Sequence, residues 1–454
     1  ILKGLTKLSV TMGNFIMTIK RTNSVPSLKY SLLALSFFSS FNVLAQPQVI
    51  HAGTLLTVAG EKPLSKQTLV VTDGKITKIQ KGFINVSDIA KDAQLIDLSS
   101  SFVMAGLMDM HVHLQGELGP KNDSQALRMS DADVLMQSVF NANKTLMAGF
   151  TTVRDLGASA EQIFALRDGI NKGWIQGPRI FAAGSAVSVT GGHGDVDGYS
   201  PDILEMRTTE TICDGPYDCR RATRQAIKFG ADVIKITSTG GVLSDTNTGT
   251  GQQMADDELK EVVDAAHALG RKVASHAHAA EGINAALRAG VDSIEHGSYA
   301  NKESIKLFKK SGAYLVPTLL AGDTVVNLAK HTDFMSEAIK AKAIRVGADM
   351  TANFKNAYLG GVKIAYGTDS GVSSHGTNGK EAVLMANAGM KNREILKSAT
   401  IHAADLVNMS SSLGTLEVGK LADIIAFDGN PLKNIEELLD VDFVMKGGKV
   451  IKNQ

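Results

Sequence analysis

The feature that most constrains this chain is a repeat in its middle. Between about residues 106 and 405, short apolar runs alternate with helical stretches, and several runs follow a Gly-Ala, Gly-Val or Gly-Phe pair. Eight runs are candidate strands: Leu107–His113, Phe150–Asp155, Arg179–Ala183, Asp232–Thr237, Lys272–His276, Asp292–His296, Ala313–Thr318 and Lys363–Asp369. Apolar spacing at Leu259, Val262, Val263, Ala266 and Leu269 predicts a helix over Asp256–Leu269, with Asp256 as its N-cap and Gly270 as its stop. A shorter helix, Glu281–Ala289, is stopped by Gly290. Eight strands alternating with helices predict an α/β fold, a (β/α)8 barrel of the TIM type. An open doubly wound sheet is the alternative, but no G-x-G-x-x-G opens a helix after the first run.

The flanks have a different character. Residues 46–105 hold β-branched runs (Leu55–Val58, Thr68–Thr72, Lys75–Ile79) and the hairpin signal Thr72-Asp-Gly-Lys75. Residues 406–454 hold the runs Ala422–Phe427 and Phe443–Met445 and the turn Lys446-Gly-Gly-Lys449. The two ends are expected to form one small β-sandwich domain, with the barrel, 106–405, inserted between its halves.

Residues 1–45 read as a signal segment. Met17 precedes Lys20, Arg21 and Lys29; an apolar run from Tyr30 to Leu44 follows; Val43-Leu-Ala45 is a cleavage site. Residues 1–16 read as upstream read-through, and the mature protein is expected to start near Gln46. The run is short and serine-rich for a bilayer span, so no stable membrane insertion is expected after cleavage. The expected localisation is exported, periplasmic or secreted. The chain carries a net charge of +1, and residues 1–45 hold five bases and no acid, which leaves −4 on the remainder. No basic stripe is present, so no nucleic-acid partner is expected. Self-association into a homo-oligomer is left open. The only cysteines, Cys213 and Cys219, flank the turn-forming Asp-Gly-Pro-Tyr-Asp and are expected to pair in an oxidising compartment.

A barrel of this kind keeps its chemistry at the C-terminal ends of its strands. Strand one ends in His111-Val-His113, whose side chains point to one side because strands alternate. Strand four carries Lys235, strand five ends in His276, strand six in His296 and strand eight in Asp369. Singly, each reads as an ordinary packed or half-exposed residue. Together they are a metal-ligand set. Lys235, flanked by Val233, Ile234 and Ile236, is costly to bury unpaired. Burial lowers its pKa, and the neutral amine takes up carbon dioxide as a carbamate that can bridge two cations. The plainer reading is a lysine that snorkels or pairs with a carboxylate. His193, in the loop Thr190-Gly-Gly-His-Gly-Asp195, and His278 and Tyr299 are candidate substrate-binding groups. For His193 the competing reading is a turn histidine.

The set His111-Val-His113, Lys235, His276, His296 and Gly367-Thr-Asp369 resembles the amidohydrolase superfamily, binuclear-metal branch. Gly191-Gly-His-Gly194 and Ile294-Glu-His-Gly-Ser298 resemble its imidazolonepropionases, prolidase-like dipeptidases and zinc carboxypeptidases that release arginine or lysine. The resemblance implies two divalent ions, zinc by the ligand chemistry. His111, His113 and Asp369 would hold one, His276 and His296 the other, and carboxylated Lys235 would bridge them. Asp369 would shuttle the proton, with His193 at the substrate. The expected function is an exported metallopeptidase acting on a small peptide substrate and releasing its C-terminal residue. That residue is expected to be Arg or Lys, because Glu117, Asp195 and Asp197 rim the barrel mouth. A prolidase acting on Xaa-Pro, a cyclic-amide hydrolase and a non-catalytic metal-binding protein are the alternatives.

Overall fold

The computed structural model describes residues 46–244 and 249–454, so the segment read above as a signal lies outside the described residues. The chain starts with β1 (Gln48–Leu56), β2 (Leu64–Thr72), β3 (Lys75–Lys81) and β4 (Gln94–Ala105). The barrel strands follow: β5 (Leu107–Val112), β6 (Phe150–Asp155), β7 (Arg179–Ala182), β8 (Val233–Thr237), β9 (Lys272–Ala277), β10 (Ser293–His296), β11 (Tyr314–Val316) and β12 (Lys363–Ile364). The chain closes with β13 (Ile424–Phe427), β14 (Phe443–Lys446) and β15 (Lys449–Asn453).

Strands from both ends make one seven-stranded sheet, ordered β15-β14-β13-β4-β1-β2-β3. The seam between the two ends is β4 against β13, with Phe102 opposite Phe427 and Ala105 opposite Ile424. A bridge between Lys75 and Leu421 curls the sheet over its own core of Ile50, Leu69, Ile76, Ile424, Phe443 and Met445. The strands of the expected sandwich are thus hydrogen-bonded as one continuous sheet.

β4 runs through Gly106 straight into β5. A Cβ at Gly106 would strike the Thr151 side chain, so only glycine lets the chain enter the barrel this close to β6. β5, β6, β8 and β10 are buried at every position, as expected of parallel strands covered on both faces. Their ladders form a three-stranded sheet, β5-β6-β7, and a five-stranded one, β12-β11-β10-β9-β8. Backbone hydrogen bonds join the two at both seams. At one, Met110 N–H donates to Tyr366 O, Asp369 N–H to His111 O and His113 N–H to Ser370 O, at 2.7–2.8 Å. At the other, Asp232 N–H donates to Ala182 O (2.9 Å) and Val187 N–H to Lys235 O (2.8 Å). The eight strands therefore close as a (β/α)8 barrel.

Strand eight is regular only over β12. Beyond it, the Asp109 carboxylate takes the Thr368 N–H (3.1 Å) that a ladder would use. The helix after β8 spans Asp256–Ala268, but its N-cap is Ala255, not Asp256. Glu258 explains the shift: its Oε2 accepts from Ala255 N–H and its Oε1 from Gly215 N–H, both at 2.7 Å. Cys213 and Cys219 form a disulfide. Among the described residues, no helix is long and apolar enough to cross a membrane.

Candidate active site

The register of β5 sets the first pair of ligands. His111 and His113 lie two residues apart and bring their Nε2 atoms to 3.3 Å. Their Nδ1 atoms are already committed. His111 Nδ1 meets Glu295 Oε2 (3.0 Å) and His113 Nδ1 meets the carbonyl of Gly157 (2.8 Å). Both partners only accept, so each Nδ1 carries the hydrogen and each Nε2 keeps its lone pair. Asp369 Oδ1 completes the group, 3.1 Å from His113 Nε2 and 3.5 Å from His111 Nε2, buried and without a hydrogen bond. Three electron pairs converging in a buried place repel one another unless a cation stands between them. This donor set of two imidazoles and a carboxylate fits a divalent metal ion.

The electrostatics agree. Burial, then the Lys235 charge, holds His111 well below the ordinary imidazole range, in the neutral form a metal requires. Burial also works against charge on His113, and Asp369 more than offsets it, so a proton and a metal ion compete for that lone pair. His276 and His296 are likewise held well below the ordinary value, first by burial and then by neighbouring side chains. Burial pushes the Lys235 ammonium down to about 8, against the opposing charges of Glu295 and Asp369.

Backbone strain accompanies the function. His296 (φ 70°) and Asp369 (φ 58°) both occupy the left-handed region that non-glycine residues avoid. His296 ends β10, Asp369 lies five residues beyond β12, and both side chains line the barrel cavity. His296 Nδ1 is held by Thr318 Oγ1 (2.7 Å), itself left-handed at φ 49°.

His111, His113, His193, Lys235, His276, His278, His296 and Asp369 all line one cavity of about 970 Å³. Three more contacts orient its histidines. His193 Nδ1 meets Ser244 Oγ (2.6 Å), His278 Nδ1 meets Ser298 Oγ (2.7 Å), and the His193 ring stands 4.2 Å from the His276 ring. Tyr299 is the exception. It is absent from the cavity wall; its phenol interacts with Arg345 and its ring packs in the cluster around Val242 and Val346. His296 and Gly297, both left-handed, turn the chain before it.

The charge argument for a basic leaving residue also fails on geometry. Glu117 lines the cavity, but it pairs with Lys144 (2.8 Å) and accepts His375 N–H (2.8 Å). Asp195 closes its own turn by accepting Gly191 N–H (2.9 Å), and neither it nor Asp197 lines the cavity. Asp131, which also lines the cavity, accepts from Gln162 (2.7 Å) in the first turn of helix Asp131–Met147, where the helix N-terminus balances its charge. Apolar side chains also line the cavity, among them Leu118, Val242, Leu243, Val325, Val346 and Val372, and helices Leu319–His331 and Glu337–Leu359 supply Val325 and Val346.

Sequence reasoning missed the groups behind the ligands. Glu295 is fully buried behind His111, and Ser244 sets His193. A carboxylate directly before a ligand histidine, in Ile294-Glu-His296, was the available signal for Glu295.

Relatives sharpen the picture. A solved Xaa-Pro dipeptidase with methionine bound in its active site is 42% identical, with a TM-score of 0.85, over 89% of this chain and 99% of that one. A solved prolidase complexed with N-methylphosphonate-L-proline is 31% identical, with a TM-score of 0.81, over 90% of this chain and all of that one. An ochratoxinase of Aspergillus niger is 32% identical over 90% of this chain and 87% of its own. Residues 102–451 match the model of the amidohydrolase family. The chain belongs to that family and is a hydrolase of carbon–nitrogen bonds in amides or peptides.

Proposed function

We propose that this protein is a metal-dependent dipeptidase that cleaves the bond before an apolar C-terminal residue, with Xaa-Pro as its preferred class. The observation that carries this is the cavity wall. Glu117 and Asp195 are engaged by other groups, and Leu118, Val242, Leu243, Val325, Val346 and Val372 line the cavity that holds the histidines. A guanidinium or ammonium there would be desolvated without a counter-charge, whereas a pyrrolidine ring would not. The solved Xaa-Pro dipeptidase and the prolidase complex support the same choice.

Each residue has a role in this reading. His111, His113 and Asp369 would hold one ion and His276 and His296 a second, with Lys235, which lines the same cavity, as the group that would join them as a carbamate, a form its lowered pKa favours. Bound there, divalent ions, zinc by ligand type, polarise the scissile carbonyl and acidify a water. Asp369, buried in the cavity, would accept a proton from the attacking water and pass it to the leaving nitrogen. His193 and His278, each fixed through Nδ1, turn the other ring nitrogen toward the substrate. Burial, then the charge of His278, pushes His193 down to about 3, so it is neutral at neutral pH. Among the described residues Arg207 is the one guanidinium on the wall; it donates to the Ala126 carbonyl (2.9 Å) and would offer its remaining N–H groups to the free carboxylate of a dipeptide. Export is part of the proposal: the N-terminal segment and the Cys213–Cys219 disulfide support an oxidising compartment.

A second reading rests on volume. At about 970 Å³ the cavity is at the upper end of ordinary small-molecule sites, so amides with a bulky apolar acyl group also fit. Offering the enzyme a Xaa-Pro dipeptide, an N-aroyl amino acid and a cyclic amide tests both readings. Release of free proline, abolished by a chelator, is the expected result. Ring opening of the cyclic amide alone would overturn the peptidase assignment.

A further inference from the structure

Three strands of the barrel meet in a buried ionic chain that ends on a proposed metal ligand. Arg154 on β6 is among the largest fully buried side chains of the protein. Its Nη2 donates to Glu295 Oε1 on β10 (2.9 Å), its Nη1 to Ser293 Oγ (3.1 Å) and its Nε to the Met110 carbonyl (2.6 Å). Ser293 Oγ also donates to Glu295 Oε1, at 2.5 Å. The second oxygen of Glu295 is thereby left for one partner, His111 Nδ1 at 3.0 Å.

Such a chain is expensive to bury. A hydrophobic cluster of the same volume would hold β5, β6 and β10 together at least as well. The ion pair therefore points to a task that apolar residues cannot perform. We infer that Glu295, fixed by Arg154, is a positioning residue for the metal centre: it holds His111 in the Nδ1–H tautomer and aims its Nε2 lone pair at the ion shared with His113 and Asp369. Arg154 neutralises the carboxylate through one donor, and its own guanidinium is fixed by three donors to three acceptors. The Met110 contact ties the same guanidinium to the residue before His111, so backbone and ring of the ligand are set by one group. The inference rests on the metal-dependent reading of the site.

The test measures metal affinity, not turnover. Wild type, Glu295→Gln, the charge-free pair Arg154→Met/Glu295→Gln, and Ser293→Ala are loaded with zinc and titrated with a competing chelator. Cobalt substitution reports ligand geometry by its visible spectrum. Carboxylates behind metal-bound histidines contribute about 10–100-fold in affinity. The expected result is that both Glu295 variants give up one ion at tenfold or more lower chelator concentration, with an altered cobalt spectrum. Ser293→Ala, which disturbs the same cluster without touching His111, should stay within about threefold of wild type, in keeping with the weaker effect of a lost neutral hydrogen bond. If the double variant folds and retains wild-type affinity, the positioning role is wrong. If Ser293→Ala weakens binding as much as Glu295→Gln, the cluster acts through packing and the inference also falls. A wild-type protein that binds no ion would overturn the metal reading itself.

Discussion

Gly241→Ala is the sharpest probe of His193. A Cβ built on Gly241 falls 2.5 Å from His193 Nε2 and nearer still to Cε1 and Nδ1. Ordinary contact begins near 3.4 Å, so the ring must retreat by roughly 1 Å. Gly241 does not occupy the left-handed region, so alanine is compatible with its backbone. The ring has little freedom to yield elsewhere. Its Nδ1 is held by Ser244, its backbone N–H donates to Gln253 (2.9 Å), and the His276 ring lies 4.2 Å away. A 1 Å misplacement of a substrate-contacting group costs about 10²-fold, or about 2.7 kcal/mol in kcat/KM. Steady-state hydrolysis of a Xaa-Pro dipeptide, with circular dichroism to verify folding, measures the loss. Because the mechanism is displacement of one ring, Gly241→Ala should cost nothing further in a His193→Ala background. Activity within threefold of wild type, or an equal loss in both backgrounds, would refute the reasoning.

Other expectations follow from the same geometry. Lys235→Ala should lose activity and one ion of two; short carboxylic acids should restore both and bicarbonate should not, while full activity in the variant would exclude the bridge. Glu117→Gln should leave the choice of leaving residue unchanged, because Lys144 already pairs with this acid; thermal melting should register a loss of no more than about 1 kcal/mol, typical of a partly exposed pair. Burial pushes Lys446 down to about 8, with Arg179 adding to it. Between the folded value and the ordinary 10.5 the unfolded chain binds the extra proton, so this group's contribution to stability rises with pH across that window. The stability of wild type relative to Lys446→Met should therefore grow from pH 8 to 10.5, and a flat difference would contradict the burial argument.

The candidate metal site was legible because its residue types seldom stand on buried strands. Lys235 was read within strand four and His111, His113, His276, His296 and Asp369 toward the C-terminal ends of their strands, and the structure gathers all six on one cavity. Barrel closure brings these distant strands together, and the alternation of β5 alone aims its two imidazoles. Pairing was not legible. Glu117 and Asp195 are acidic in sequence, but whether an acid is available depends on Lys144 and on a turn amide, which only the folded chain places. Tyr299 is a related case: its position after His296 suggested the site, whereas its ring packs around Val242 and Val346 and its phenol interacts with Arg345. The apolar wall was hidden because helices Leu319–His331 and Glu337–Leu359 contribute to it from a connection far from the ligand motifs. Glu295 and Arg154 meet only when β6 and β10 close around β5.

The central claim is metal-dependent cleavage before an apolar leaving residue. Its most direct measurement is amino-acid release from matched Xaa-Pro, Xaa-Leu, Xaa-Arg and Xaa-Lys dipeptides by the zinc-loaded protein, with and without chelator. The account predicts that proline is released fastest, that arginine and lysine lag by tenfold or more, and that the chelator abolishes all release until zinc is restored. Faster release of arginine or lysine, or proline release that survives complete metal removal, would contradict it.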